Sequence, residues 1–202
     1  MSLLLSGQTI FSNPDALDPD FVPKLLPHRE GQQQYIAYAL KMLFAGRNGK
    51  TLLIRGTSGI GKTAATKRVL MDLEETEESE KVPQVFVNCW TQNTTFKILT
   101  HICHALGFKF THNMNTSEVL EKIKEILKKK NGLAVAFDEI DKAEDYDFLY
   151  SLAEEIPKKT MILITNDFGW GEDLDPRVKS RLMPELVEFP EYTYAETENI
   201  LK

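Results

Sequence analysis

The sequence predicts an α/β fold, a five-stranded parallel sheet flanked by helices. Three observations carry that expectation. Short apolar runs alternate with stretches of helical periodicity along the chain. Gly56-Thr57-Ser58-Gly59-Ile60-Gly61-Lys62-Thr63 fits G-x-x-x-x-G-K-[ST] in full, between one such run and a helix start. Another run, Leu133-Ala-Val-Ala-Phe137, ends in Asp138 and Glu139. The carboxyl ends of strands are where open parallel sheets bind ligands.

The elements follow in order. Residues 1–27 read as an N-terminal loop segment, because Asn13-Pro14, Asp18-Pro19, Val22-Pro23 and Leu26-Pro27 each keep the residue before proline out of helical geometry. A helix starts near Arg29, with Ile36, Leu40 and Leu43 at helical spacing, and stops at Gly46 and Asn48-Gly49. Thr51–Arg55 is the first strand, and a helix runs from about Lys62 to Leu73 behind the glycine-rich turn. The charged stretch from Glu74 to Lys81 leads to a second strand, Gln84–Asn88. A helix from about Thr94 to Leu106 turns Phe96, Leu99, Ile102, Cys103 and Leu106 to one face, and Gly107 stops it. Asn115 with Glu118 reads as a capping box for the next helix, whose stripe is Val119, Leu120, Ile123, Ile126 and Leu127. Lys128, Lys129 and Lys130 suit the negative end of its dipole. Leu133–Phe137 is the third strand, a helix lies near Phe148–Ile156, Met161–Thr165 is the fourth strand and Leu186–Phe189 the fifth.

The 202 residues allow one large domain or two small ones. A 42% hydrophobic and 27% charged composition is that of a globular protein and argues against disorder. The longest apolar runs fall far short of the roughly 20 residues a membrane helix needs, so no membrane is expected. With 24 basic and 30 acidic residues the net charge is −6. That argues against a chain gripping DNA with its whole surface; any such contact is expected from a local patch or from segments outside this sequence. Cys89 and Cys103 are expected to be buried free thiols. Without a signal-peptide pattern the expected location is the cytoplasm.

The glycine-rich loop has a chemical reason for its composition. Glycines let backbone N–H groups curl round a polyphosphate, and the helix N-terminus adds positive potential. Gly56, Thr57, Ser58, Gly59, Ile60, Gly61, Lys62 and Thr63, with Ala64 behind them, are the cofactor-binding candidates for ATP or ADP. Lys62 is placed to reach the β- and γ-phosphates, and the Thr63 hydroxyl to ligate Mg²⁺. Asp138 is the natural second partner of Mg²⁺, through water, and Glu139 the base that polarises a water toward the γ-phosphate. Two adjacent acids after a strand also fit a solvated turn or a helix cap, and for Asp141 a capping or structural role is at least as good a reading. Asn166, at the end of the fourth strand, either holds the attacking water or turns the chain. Arg177 and Arg181, four residues apart, share a helix face that on these residues alone reads as a solvated basic surface. His101, Cys103 and His104 invite a zinc reading, but no second ligand pair accompanies them.

Taken together, Gly56–Thr63, Phe137-Asp-Glu-Ile-Asp141, Asn166 and Arg177–Arg181 resemble an AAA+ ATPase, a P-loop NTPase. Pro27-His28-Arg29-Glu30, Val87-Asn88-Cys89, Phe148-Leu-Tyr150, Leu174-Asp-Pro-Arg-Val-Lys-Ser and Phe189-Pro190 with Tyr192-Thr193 narrow the resemblance to archaeal origin-recognition proteins. These are relatives of eukaryotic origin recognition complex subunits and cell division control protein six. The resemblance spans about residues 10–202. It implies a DNA replication initiator that uses Mg²⁺-ATP as an assembly switch and hydrolyses it slowly. The ATPase core then covers 28–190 and a lid domain begins at 191–202, with the rest of the lid and a winged-helix domain outside this sequence. Asn166 becomes the first sensor, and the loop from Leu26 to Arg29 lines the adenine pocket. Arg181, with Arg177 second, is the finger offered to a neighbouring subunit. Residues 90–113, with Lys97, His101, His104, Lys109 and His112, fall in an insertion that touches DNA in relatives. Implied partners are other AAA+ initiator subunits or a second copy, origin DNA mainly through the outside segments, and a replicative helicase. A clamp loader or other AAA+ remodeller, and a signalling-type switch, are the alternatives. A small-molecule kinase needs a lid arginine set and an acceptor pocket that the sequence does not offer.

Overall fold

Five short strands pair in one all-parallel sheet in the computed structural model, which describes residues 21–200. They are β1 (Thr51–Arg55), β2 (Gln84–Asn88), β3 (Leu133–Asp138), β4 (Lys159–Thr165) and β5 (Glu185–Glu188), in the spatial order β2-β3-β4-β1-β5. The helices are α1 (Glu30–Phe44), α2 (Lys62–Glu74), α3 (Thr95–Ala105), α4 (Thr116–Leu127), α5 (Asp147–Glu155), α6 (Pro176–Leu182) and α7 (Tyr194–Ile200). A short 3₁₀ turn, Ile140–Lys142, follows β3.

Of the three inner strands, β3 and β4 are covered on both faces, so they read as continuous apolar runs, whereas β1 alternates between buried and half-buried positions. Strand period then sorts β3 by size. Leu133, Val135 and Phe137 face α3, α4 and α5, while Ala134 and Ala136 face the layer of α1 and α2. The small side chains leave room for Ala65, Val69 and Leu73 of α2 to pack behind the glycine-rich loop. Register finishes the arrangement. Arg55 pairs with Thr165, and Phe137 with Leu163. The chain therefore leaves β1, β3 and β4 at one edge of the sheet, bringing Gly56, Asp138 and Asn166 to a common border.

Most sequence-based elements are found within a residue or two, and the differences have reasons. β3 runs on to Asp138, β4 begins at Lys159, and β5 lies one residue earlier than expected. The Phe189 N–H still donates to Arg55 O at 2.9 Å, so pairing extends past the end of β5. In α3 the buried face is Ile98, Leu99, Ile102 and Cys103; Phe96, expected on it, is exposed because it lies at the edge of the arc those four residues define, in the first turn of the helix. α4 has the expected capping box, with Glu118 N donating to Asn115 Oδ1 and Asn115 N to Glu118 Oε2. Helix α7 buries nothing, so it has no apolar period to read. Its signal is Thr193-x-x-Glu196, a reciprocal cap in which Thr193 N donates to Glu196 Oε2 and Glu196 N to Thr193 Oγ1. The loop expectation for residues 1–20 lies outside the described residues.

Candidate nucleotide site

Two left-handed glycines bend the loop between β1 and α2: Gly59 at φ 79° and Gly61 at φ 91°. A side chain there would be strained whatever the space around it. Gly56 is required for a different reason: a Cβ on it would sit 2.5 Å from the carbonyl oxygen of Phe189. Lys62 opens α2, and its ammonium is drawn back over the loop. Nζ donates to Gly56 O at 2.8 Å, to Thr57 O at 2.7 Å and to Asn166 Oδ1. Burial lowers the pKa of Lys62, and Asp138 and Asp141 pull in the opposite direction.

Asp138 is buried at the end of β3. Its two carboxylate oxygens accept from Thr63 Oγ1 at 3.1 and 3.0 Å, and Oδ1 also accepts from Glu139 N. Burial raises its pKa against the pull of the Thr63 and Glu139 donors. This hydroxyl–carboxylate pair suits Mg²⁺, a hard ion that takes few protein oxygens and keeps water and substrate phosphates as its other ligands. Glu139 occupies the left-handed region at φ 51° and ψ 48°, an uncommon conformation for a residue with a Cβ. Behind it Asp141 accepts from Thr165 Oγ1 at 2.7 Å and pairs with Lys142. Burial would raise the Asp141 pKa, but Lys142 and Thr165 outweigh it and hold it low. Asp141 thus ties the end of β3 to the end of β4. The polar residues closing those two strands were the signal for this tie.

Ser58, Gly59, Gly61, Lys62, Thr63, Ala64, Asp138, Glu139 and Asn166 together line one cleft of about 290 Å³. Leu26 and Arg29 lie beside it rather than in it. Leu26 packs on the α1/α2 core layer. Arg29 is 2% exposed and donates from Nε to Ile60 O at 3.0 Å and from Nη2 to Pro190 O at 2.7 Å. Arg177 and Arg181 stand apart on α6 at the surface. Arg177 pairs with Asp175 and Arg181 with Glu154 of α5. His101 faces Phe86 O and His104 faces Thr111 Oγ1, so the two turn to different partners. No group of three or more His, Cys, Asp or Glu that could hold a metal occurs among the described residues. Both cysteines are buried and free. No described helix is long and apolar enough to cross a membrane.

A strand–loop–helix phosphate cradle, with a metal-ligand pair between its helix and the neighbouring strand, defines a P-loop nucleotide-binding core. The AAA domain family matches residues 46–165, and the chain belongs to it. Within that family the sequence is similar to ORC1-type DNA replication protein 1 of Sulfurisphaera tokodaii, 40% identical over 98% of this chain and 52% of the relative. It is 32% identical to the Aeropyrum pernix ORC1 protein solved in complex with DNA, with a TM-score of 0.78 over 91% of this chain and 50% of that one. The Pyrobaculum aerophilum Cdc6p structure shares the fold at a TM-score of 0.81 and 19% identity, covering 94% of this chain and 52% of that one. The resemblance to archaeal origin-recognition proteins is borne out by these relatives. The chain spans about half the length of the curated relatives it matches.

Proposed function

We propose that this chain is the ATP-binding, slowly hydrolysing core of a DNA replication initiator. The observation that carries the reading is the junction of Lys62, Thr63 and Asp138 at the carboxyl edge of the sheet. Lys62 holds the phosphates as a point charge, and the loop N–H groups hold them as dipoles. Thr63 and Asp138 would hold Mg²⁺, which supplies charge neutralisation at the β- and γ-phosphates. Glu139 takes the proton of the attacking water, and Asn166 orients that water or the γ-phosphate. Residues 28–190 make up the core, and α7 opens the lid. The likeness to ORC1-type proteins supports the initiator reading over a clamp loader or a signalling switch.

Its partners are then other AAA+ initiator subunits or a second copy, a replicative helicase, and origin DNA. With a net charge of −6, the 202 residues should bind duplex DNA weakly and lose that binding steeply as salt rises. Residues 90–113 add exposed Trp90, Phe96 and Phe110 beside Lys97 and Lys109. The cytoplasm is the location this function requires in a cell without a nucleus. Calorimetric titration of Mg²⁺-ATP into the wild type and Lys62→Ala tests the central claim. The variant should keep its sheet by circular dichroism and lose at least about tenfold in affinity, the effect of removing one charge-assisted contact of roughly 1.5–3 kcal/mol. Equal affinity in a folded variant would refute the phosphate-loop assignment.

A further inference from the structure

Arg29 bridges two parts of the chain that border the nucleotide cleft, the glycine-rich loop and the segment after β5. We propose that Arg29 is a positioning residue that locks the phosphate loop to the root of α7, so that the state of the loop is read out at the lid. The inference rests on the nucleotide-site reading and goes beyond it.

The guanidinium has two ends in two different places. Nε donates to Ile60 O at 3.0 Å. Ile60 lies between the left-handed glycines Gly59 and Gly61, so its carbonyl direction is set by the bend that must fit a phosphate. Nη2 donates at 2.7 Å to Pro190 O, just past β5, and the guanidinium carbon lies 3.8 Å from the centre of the Tyr192 ring. Phe189 adds a second ring at 5.4 Å. Tyr192 closes the loop on its other side, since a Cβ on Gly61 would be 3.5 Å from the Tyr192 hydroxyl.

The lid helix is fastened to the same point. Thr193 caps α7 through Glu196, and Glu196 also pairs with His28 Nδ1 at 3.7 Å. Asn199 Nδ2 lies 3.2 Å from His28 Nε2. His28 precedes Arg29 and is held in the left-handed region at φ 64°. α7 buries none of its own residues, so polar links such as these, with the Tyr192 stack at its root, help to place it. A planar, fork-shaped cation donates from Nε and Nη2 in fixed directions and stacks its face on Tyr192; the compact ammonium of a lysine reproduces neither the fork nor the stack. A phosphate that re-aims Ile60 O therefore moves Arg29, and Arg29 carries Pro190, Tyr192 and α7 with it.

Hydrogen–deuterium exchange of residues 193–199 in the 202-residue chain tests this, compared without nucleotide and at saturating Mg²⁺ with a non-hydrolysable ATP analogue. In the wild type, nucleotide should change the exchange rate of α7 by about fivefold or more, the lower end of ordinary coupling between sites. In Arg29→Lys, at its own saturating concentration, the change at α7 should vanish while protection at the loop itself persists. Tyr192→Leu, which leaves the buried cation in place, should reduce the α7 response in the same direction and guards against misfolding of the Arg29 variant. An α7 response of wild-type size in both folded variants would overturn the proposal. So would a wild type that binds the analogue with no change at α7. A wild type that binds no nucleotide would instead overturn the phosphate-loop reading on which it rests.

Discussion

The Thr63 hydroxyl sits between both carboxylate oxygens of Asp138, at 3.1 and 3.0 Å. One residue opens a helix and the other ends a strand, and they are 75 positions apart in the chain. The contact puts two hard oxygen ligands within reach of one small cation, and that cation is the natural third partner of the pair.

Asp138→Asn should therefore separate metal dependence from nucleotide recognition. The amide keeps an oxygen for the Thr63 hydroxyl but carries no charge to offer Mg²⁺. Calorimetry should show ATP affinity that rises with Mg²⁺ in the wild type and is nearly indifferent to Mg²⁺ in the variant. An unchanged Mg²⁺ dependence would remove Asp138 from the metal site.

Glu139 is held at φ 51° and lines the cleft, on the turn that follows Asp138. Glu139→Gln keeps size and backbone and removes the proton acceptor. ATP binding should be preserved while turnover falls by about 10²–10⁴, the usual contribution of a positioned base. A phosphate-release assay on the variant in an assembled initiator complex reads this directly, and wild-type turnover would show that the base is another group.

Cys89 follows β2 and is fully buried beside the acids of the site. Burial first, then the charges of Asp138, Asp141 and Glu139, pushes its thiol up to about 12 from an ordinary 9.0. At pH 9 the native thiolate population should be roughly 10³-fold below that of an ordinary cysteine. Iodoacetamide should label Cys89 slowly in the native protein and quickly in denaturant; equal rates would contradict the burial. The stability sign follows from the same shift. Above about pH 9 the unfolded thiol loses its proton and the folded one keeps it, so this contribution is complete below that pH and declines as the pH rises toward 12.

What was legible in the sequence was whatever a local rule controls. Thr51–Arg55 and Gln84–Asn88 are found as strands at their expected bounds, and the loop glycines fall where left-handed angles are needed. The paired acids after β3 reach the loop because parallel register carries them there. The illegible parts depend on approach through space. Nothing near Arg29 in sequence announces Ile60 or Pro190, which are 31 and 161 positions away. Phe96 obeyed the helical period and still faces out, because the true buried arc of α3 is centred on Ile98, Leu99, Ile102 and Cys103.

The arginines of α6 give the last prediction. Arg181 Nε pairs with Glu154 Oε2 at 2.9 Å, and Arg177 Nη2 with Asp175 Oδ2 at 3.0 Å. Both pairs are exposed, with Arg177 at 76% and Arg181 at 53% of side-chain accessibility. Solvent-screened exposed pairs contribute little to stability, so either arginine can leave its carboxylate for a stronger partner. Neither lines the cleft of its own chain. We propose that any role in hydrolysis runs across an interface, where a finger arginine is worth about 10³–10⁵ in rate in well-studied GTPases. Arg181→Ala should keep the ATP affinity of the isolated chain and lose hydrolysis only in the assembled complex. Mixing it with Lys62→Ala should restore turnover, because the first subunit binds ATP and the second supplies an intact arginine. The same mixture with Arg177→Ala identifies which of the two acts. If neither mixture recovers and Arg181→Ala alone weakens ATP binding, the arginine serves its own subunit and the assignment across the interface is wrong.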